Sequence, residues 1–391
     1  MSTLHSFIPL LRFSEFDSKQ AYVNFENVIE STMYGPRFNA NDYDVSGNVK
    51  TIRGTDVNRS GELNYNQVPI AKLDIKTVNH HALKDGDLVM ITTADCGLTG
   101  VFREQMIPYI SSAYGIRIRL NAKGYPEYFK YFFQTNHAKR EVASYIRKAT
   151  VANLPGSDVL KIKLNLPDLV EQQKIATFLS AVDEKINLLQ KKKEGLEQYK
   201  KGVMQQLFSQ KLRFKKEDGS DFPDWEENKL GDLCSIKTGK LDANAMVENG
   251  DYRFYTCAKD YYRIDQYAFD TEALLISGNG ANVGYIHYYK GKFNAYQRTY
   301  VLDSFVQDIQ YIKYFLDKNL YERIRNEKKE GNTPYIVLGT LKEMVIAVPN
   351  LMEQTKISNF LNNIDNKITF VETQLGNTKQ FKKGLLQQMF V

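Results

Sequence analysis

Residues 166–208 read LPDLVEQQKIATFLSAVDEKINLLQKKKEGLEQYKKGVMQQLF, and residues 348–390 read VPNLMEQTKISNFLNNIDNKITFVETQLGNTKQFKKGLLQQMF. A shift of 182 aligns the two blocks without a gap, and 18 of 43 positions are identical. The matches span the full block: Pro167/Pro349, EQ at Glu171/Glu353, KI at Lys174/Lys356, FL at Phe178/Phe360, DxKI at Asp183/Asp365, KKG at Lys200/Lys382 and QQxF at Gln205/Gln387. Two unrelated helices of like composition would not keep this spacing. An internal repeat governs the reading of everything else.

Each block carries the signature of one long helix. Pro167 precedes Asp168, with Glu171 three residues on, and Pro349, Asn350 and Glu353 repeat the pattern. This predicts a reciprocal cap, in which Asp or Asn accepts an orphan backbone N–H and the Glu reaches back. Apolar residues follow at alternating steps of four and three: Ile175, Leu179, Val182, Ile186 and Leu189 in the first copy, Ile357, Leu361, Ile364, Ile368 and Val371 in the second. Leu196, Val203 and Leu207 extend the first seam, and Leu375, Leu385 and Met389 the second. A spacing of 3.5 over five heptads predicts a coiled coil. At 1.5 Å per residue each helix of about 40 residues would be roughly 60 Å long. Lys193 and Lys200 interrupt the first seam, and Thr378 and Lys382 the second. These positions read as a looser end where charged side chains reach water.

The intervening segments have a different texture. Short β-like runs at 87–93, 273–277, 300–302 and 344–348 alternate with Gly/Asn-rich turns, and short helices are expected near 128–136 and 311–319. YFKYFFQTN from Tyr128 echoes YIKYFLDKN from Tyr311, and LRF occurs at Leu11 and again at Leu212. The expected fold class is α+β: two globular domains separated by two long helices that pair as an antiparallel coiled coil with pseudo-twofold symmetry. The boundaries read as a first globule at 1–165, a central helix at 166–210, a second globule at 211–347 (opening with a charged, turn-rich linker at 211–228) and a C-terminal helix at 348–391.

Composition narrows the function. The 391 residues are 42% hydrophobic and 25% charged, near globular averages. Lys and Arg number 52 against 46 Asp and Glu, a net charge of +6 that permits nucleic-acid binding without demanding it. Cys96, Cys234 and Cys257 are scattered and suggest a reducing cytoplasm. The first residues lack a secretory pattern, and no run of about 18 apolar residues predicts a membrane span.

Catalytic patterns appear only as mimics. In PDWEENK (223–229) only two residues separate Asp224 from Glu227, which leaves no strand-to-strand space for the metal of a nuclease. NTPY (332–335) lacks the first proline of an amino-methyltransferase loop, and no upstream Gly-rich strand–turn–helix accompanies it. Gly239–Lys240 lacks the glycine of a phosphate-cradling loop, and the five histidines show no HExxH spacing. The sequence reads as a recogniser rather than a catalyst.

The block P-x-L-x-EQ-x-KI-x-x-FL-x-x-x-D-x-KI, repeated once after a variable globule, resembles the specificity subunit of type I restriction–modification systems. FPDWEENKLGDL with its following KTGK loop, and NTPYIVLGTLKEMVIAVPN (332–350), resemble the beginning and end of that family's target recognition domains. The first globule departs from this pattern: Tyr22 stands where the second half has Trp225, no LGDL follows, and its exit lacks NTPY.

The resemblance implies a non-catalytic chain in the cytoplasm that binds double-stranded DNA. Each globule would read one half of a split site, and the coiled coil would set the gap. Two adenine methyltransferase (modification) subunits would dock on the helices, and restriction/translocase subunits would complete the nuclease. S-adenosylmethionine, ATP and Mg would belong to those partners, with no cofactor on this chain. Side-chain chemistry then nominates DNA contacts, since Arg suits guanine and Asn or Gln suits adenine. They are Arg37, Asn39, Arg53 and Arg59 in the first globule, and Lys237, Thr238, Lys240, Asn279, Asn282, Gln297 and Arg298 in the second, with Lys328 and Lys329 for phosphates. Two rivals use the same features: a stand-alone pseudo-dimeric DNA-binding regulator, and a coiled-coil scaffold that binds no DNA.

Overall fold

The computed structural model describes residues 9–148, 150–327 and 335–390. The chain divides into two compact units, Met1–Gln190 with Thr373–Val391, and Lys191–Glu372. The fold is α+β, with a long central helix, Leu169–Phe208, and a long C-terminal helix, Leu351–Gln388, each contributing to both units.

In the first unit the globule opens on the strand Ala21–Asn24 and closes on Lys163–Leu166, which pair antiparallel with Ala21 opposite Leu166. Between them lie a four-stranded sheet, ordered Ile29–Tyr34, Gly115–Leu120, Leu88–Ile91, Thr99–Val101, and a three-stranded sheet, ordered Ile70–Ala71, Val49–Ile52, Tyr109–Ser111. Leu88–Ile91 is buried along its whole length, as a continuous apolar run in a central strand should be. The helix Pro126–Phe132 starts with proline, whose missing N–H costs nothing at that position. Its aromatic residues Tyr128, Phe129 and Phe132 enter one core with Ile175, Leu179 and Val182 of the central helix, Leu385 of the C-terminal helix, and Met389 and Phe390 just beyond its end.

In the second unit the equivalent closing pair is Glu226–Lys229 with Val345–Val348, Glu226 opposite Val348. The globule is built on a single six-stranded sheet, ordered Ser235–Thr238, Thr299–Asp303, Phe269–Ser277, Ile286–Ala295, Tyr252–Tyr255, Tyr262–Ile264. The 19-residue helix Ile309–Glu327 packs Tyr311, Phe315 and Leu320 into a core shared with Val203 and Leu207 of the central helix and Ile357, Leu361 and Ile364 of the C-terminal helix.

Within each unit the two long helices run antiparallel. Asp183 meets Lys382 at 2.6 Å in the first unit, and in the second Lys200 meets Asp365 at 2.6 Å and Lys193 meets Glu372 at 2.8 Å. In the second unit the residue numbers of both pairs add to the same total, 565, as they must within one antiparallel register.

Among the seam positions, Ile175, Leu179, Val182, Ile357, Leu361, Ile364 and Val371 are buried, and Ile186, Leu189 and Ile368 are half-buried. The ends of the seam therefore face a globule core as well as the other helix.

Two local expectations are corrected. Asp168 and Asn350 do cap their helices, accepting from the N–H of Glu171 at 2.8 Å and of Glu353 at 2.9 Å. The two glutamates, however, turn to distant arginines. Arg12 grips both Glu171 oxygens at 2.7 Å, and Arg213 holds Glu353 at 3.2 and 2.8 Å, joined by the Trp225 indole N–H at 3.1 Å. The repeated LRF thus clamps the repeated EQ. A buried carboxylate gains more from a bidentate guanidinium than from one backbone N–H. The hydrogen bond to the glutamate raises the pKa of each arginine.

The neighbouring Gln172 and Gln354 are wholly buried and satisfied. Gln172 accepts from the Tyr125 N–H and donates to the carbonyls of Lys123 and Pro167. Gln354 accepts from the Asp308 N–H and donates to the Pro349 carbonyl.

The second correction concerns the seam lysines. Lys382 is buried and bonded to Asp183 and to Gln134, while Lys200 bonds both oxygens of Asp365. They do not reach for water, because each has a carboxylate from the other helix within hydrogen-bond distance.

Candidate nucleic-acid interface

The loops at one side of the first globule enclose a cavity of about 1370 Å³, lined by residues that include Tyr34, Arg37, Arg53, Thr93, Tyr114 and Asn153. A second cavity of about 610 Å³, lined among others by Arg59, Lys130 and Lys139, shares Gly54, Thr55, Ala94 and Asp95 with it. The two are neighbours across these shared residues. Strand pairing places Tyr34 opposite Ile116, so residues far apart in sequence reach the same rim. Gly35 makes this closeness possible: a Cβ there would lie 1.9 Å from the Ser111 carbonyl oxygen. Ala94 holds a left-handed φ of 64° at the shared wall. Ser112 lines the cleft with its hydroxyl buried and, among the described residues, without a partner.

The nominated residues of the first globule differ in their freedom. Arg37 is exposed on the cleft and Arg59 is exposed on its neighbour; neither makes an ion pair among the described residues. Arg53 is partly committed. It bonds the fully buried Asp56 through Nε at 3.1 Å and a terminal nitrogen at 3.0 Å, and the Gln67 carbonyl at 3.2 Å. What it can still present is one terminal nitrogen held in a fixed direction. Asn39 is exposed outside the cleft, its backbone N–H donating to Asp42.

In the second globule most nominated residues gather at one end of the six-stranded sheet. Backbone hydrogen bonds tie the loops together: Gly239 N–H to the Thr299 carbonyl, Gln297 N–H to Leu241, and Gly278 N–H to Arg298. Gly239 sits so close that a Cβ would lie 1.8 Å from the Ala295 carbonyl oxygen. Thr238, Lys240 and Arg298 are exposed there, and Lys240 and Arg298 make no ion pair among the described residues. Gln297 donates to Asp242 at 2.7 Å, and Asn282 donates to the Cys257 carbonyl at 3.0 Å, so both help hold the loops. Asn279 is half-buried and bridges Tyr335. Lys237 lies along the strand and leans on Asp303 at 3.5 Å. Lys328 and Lys329 lie outside the described residues.

Sequence reasoning missed the aromatic component. Tyr34, Tyr43 and Tyr114 line the first cleft and are exposed. In the second globule Arg253 is sandwiched between Tyr261 at 4.3 Å and Tyr289 at 4.4 Å and bonds the Tyr255 hydroxyl. The only signal available was the high tyrosine count, which does not say which rings reach the surface. Burial pushes the His287 pKa down, against the raising effect of its hydrogen bond with the Ala258 carbonyl. Among the described residues no group of three or more His, Cys, Asp or Glu is placed to hold a metal ion.

A sequence model of the type I restriction modification DNA specificity domain matches residues 21–198 and again 223–378. The chain belongs to that family. Both matches begin at the closing strands and run well into the long helices, so the family unit is a globule together with its helix.

Among curated relatives, the type I restriction enzyme EcoDI specificity subunit of Escherichia coli is 37% identical over 164 residues, 42% of this chain and 36% of that protein. The MjaVIII specificity subunit of Methanocaldococcus jannaschii is 27% identical over 260 residues, 58% of this chain and 60% of that one. These matches thus span from about a third to somewhat over half of each relative.

In three dimensions the family member is similar to the S subunit of a type I restriction–modification system from M. genitalium, with a TM-score of 0.65 at 16% identity over 98% of this chain and 99% of that one. A chain from a structure of type I R-M complex assembly and conformational transition gives 0.57 at 17% identity, over 95% and 98%. Among the described residues no helix is long and apolar enough to cross a membrane.

Proposed function

We propose that this chain is the non-catalytic DNA-reading subunit of a cytoplasmic type I restriction–modification complex. Each globule reads one half of a bipartite double-stranded site, and the paired helices set the number of base pairs between the halves. The carrying observation is that an identical frame of closing strands, Arg–Glu clamp and helix is used twice around two unlike, loop-rich heads. A dimeric reader spaces its two elements about one DNA turn apart, roughly 34 Å. A duplicated chain achieves the same with unlike heads, so the half-sites need not be palindromic.

Two modification subunits, adenine methyltransferases that bring S-adenosylmethionine, dock on the helices, and restriction/translocase subunits that use ATP and Mg join them. Exposed apolar side chains on the helices support this. Leu188 and Tyr199 on the central helix match Phe370 and Phe381 on the C-terminal helix at the shift of 182, and all four are more than half exposed. Apolar surface presented twice in the same pattern suits two copies of one partner.

The test is to replace residues 21–166 with the globule of another family member and sequence the modified sites in cells that carry the partners. One half of the site changes, while the other half and the gap remain. A change in both halves, or modification independent of sequence, overturns the proposal. Binding by the assembled complex also falls steeply with salt, because phosphate contacts release counterions; a flat dependence favours a scaffold that does not read DNA.

A further inference from the structure

We propose that two Tyr–Asp–Lys triads, Tyr131–Asp183–Lys382 and Tyr314–Asp365–Lys200, are positioning groups that fix the register of the long helices. In the first unit the Tyr131 hydroxyl donates to Asp183 at 2.9 Å and lies 3.1 Å from Ser180, and Lys382 reaches Asp183 at 2.6 Å and Gln134 at 3.2 Å. The Lys382 ammonium stands 5.3 Å from the Tyr131 ring centroid. In the second unit the Tyr314 hydroxyl donates to Asp365 at 2.6 Å and lies 2.7 Å from the Asn362 side-chain amide, Lys200 holds Asp365 at 2.6 Å, and its ammonium stands 4.9 Å from the Tyr314 ring centroid. The same three residue types meet twice in the same way, and each triad takes its Asp from one long helix, its Lys from the other and its Tyr from the globule.

Apolar contacts alone do not give this discrimination. A seam with an apolar residue every three or four positions offers similar packing after a slip of one such step, and single buried polar residues are what specify register in coiled coils. After a slip, Lys382, whose side chain is only 9% exposed, would lie buried without its carboxylate. Asp183 would keep Tyr131, on its own globule, but lose its cation. The penalty falls on wrong registers and spares the right one. The claim about register stands on the helices themselves; only its consequence for the gap between half-sites rests on the proposed function.

The test uses the full chain with its three cysteines replaced by alanine and spin labels at Asn187→Cys and Gln387→Cys, two exposed helix positions of the first unit. Electron–electron distance measurements compare this protein with Lys382→Asp, Asp183→Lys and the double exchange. The parent gives one narrow distance. Each single variant gives a broadened or displaced distribution, a slip of three or four residues amounting to about 5 Å along the axis. The double exchange returns the narrow distance. Should a single variant lose its helical circular dichroism, Tyr131→Phe with Asp183→Asn removes the carboxylate that favours one register without burying a like-charge pair, and broadening is again expected.

An unchanged distance in the variants that fold, or a double exchange that fails to restore the parent, overturns the triad as a register device. Sequencing of modified sites in the same variants separates the two proposals. A moved label distance with no sequence-specific modification even in the parent leaves the register device standing and sinks the DNA-reading function.

Discussion

The two globules share a frame and differ in almost everything inside it. Both close on an antiparallel strand pair, both clamp a buried helix-start glutamate with an LRF arginine, and both send a tyrosine to the helix aspartate. Within that frame the first head splits into a four-stranded and a three-stranded sheet around a deep cleft, whereas the second spreads one six-stranded sheet and gathers its loops at one end. The repeat is therefore confined to residues that hold a head onto the helices. Residues that face outward from the loops are free to diverge, as the proposed reading of two different half-sites requires.

The strongest way to break this comparison is at the clamps. Arg12→Ala leaves Glu171, 1% exposed, with only a 3.3 Å bond from Gln20 among its side-chain partners described here. The expected cost is about 3–5 kcal/mol, as for a buried pair stripped of one member. Arg213→Ala removes the equivalent grip but spares the Trp225 indole bond to Glu353, so its cost is expected to be smaller by about 1 kcal/mol, the worth of one hydrogen bond. Thermal and urea unfolding of the two variants measure the difference; equal losses would show that Trp225 is idle.

A smaller, local effect is expected at the two close-approach glycines. Gly35→Ala forces the wall of the first cleft apart, and Gly239→Ala displaces the loops at the end of the second sheet. Each is expected to cost about 1–3 kcal/mol, in line with overpacking. In site-resolved modification assays each is expected to relax one half-site only. Relaxation of both halves by either variant would join what the comparison keeps separate.

Single contacts come next. Arg37→Ala and Arg298→Ala are expected to weaken DNA binding by the complex, by about 1–3 kcal/mol if the arginine reads a base. If it meets a phosphate, the loss is uniform across sequences and the salt slope falls by about one. Arg53→Ala is expected to lower stability more than affinity, because its guanidinium already serves Asp56 and Gln67.

The smallest effect concerns pH. Burial depresses the folded-state pKa of His287, so below the unfolded-state value of about 6.5 the unfolded chain binds the extra proton first. Stability of the second unit is therefore expected to be complete above that pH and to decline as pH falls toward the folded-state pKa. His287→Gln is expected to flatten this dependence in unfolding measured from pH 7.5 to 5. The first head carries a comparable group, since burial also lowers the His81 pKa against its hydrogen bond with the Tyr34 carbonyl, so its stability is expected to shift with pH in the same direction.

The amino-acid sequence by itself determined the two helices, Leu169–Phe208 and Leu351–Gln388, and their duplication. Helix periodicity and caps are local, and the repeat made them readable twice. It also disclosed four of the strands, because continuous apolar runs such as Leu88–Ile91 need no distant partner to be recognised, and left Thr99–Val101, Tyr109–Ser111 and Gly115–Leu120 unread. Tertiary structure decided the partners. Glu171 looked like half of a cap because Arg12, 159 residues away, is invisible to a local rule, and Lys382 looked like a surface lysine because Asp183 lies on another helix. It likewise decided which loop residues stay free, since Arg37 and Arg53 have the same chemistry and only the fold places Asp56 beside one of them. Backbone conformation follows from neighbours along the chain, whereas the charge state, direction and availability of a side chain follow from neighbours in space.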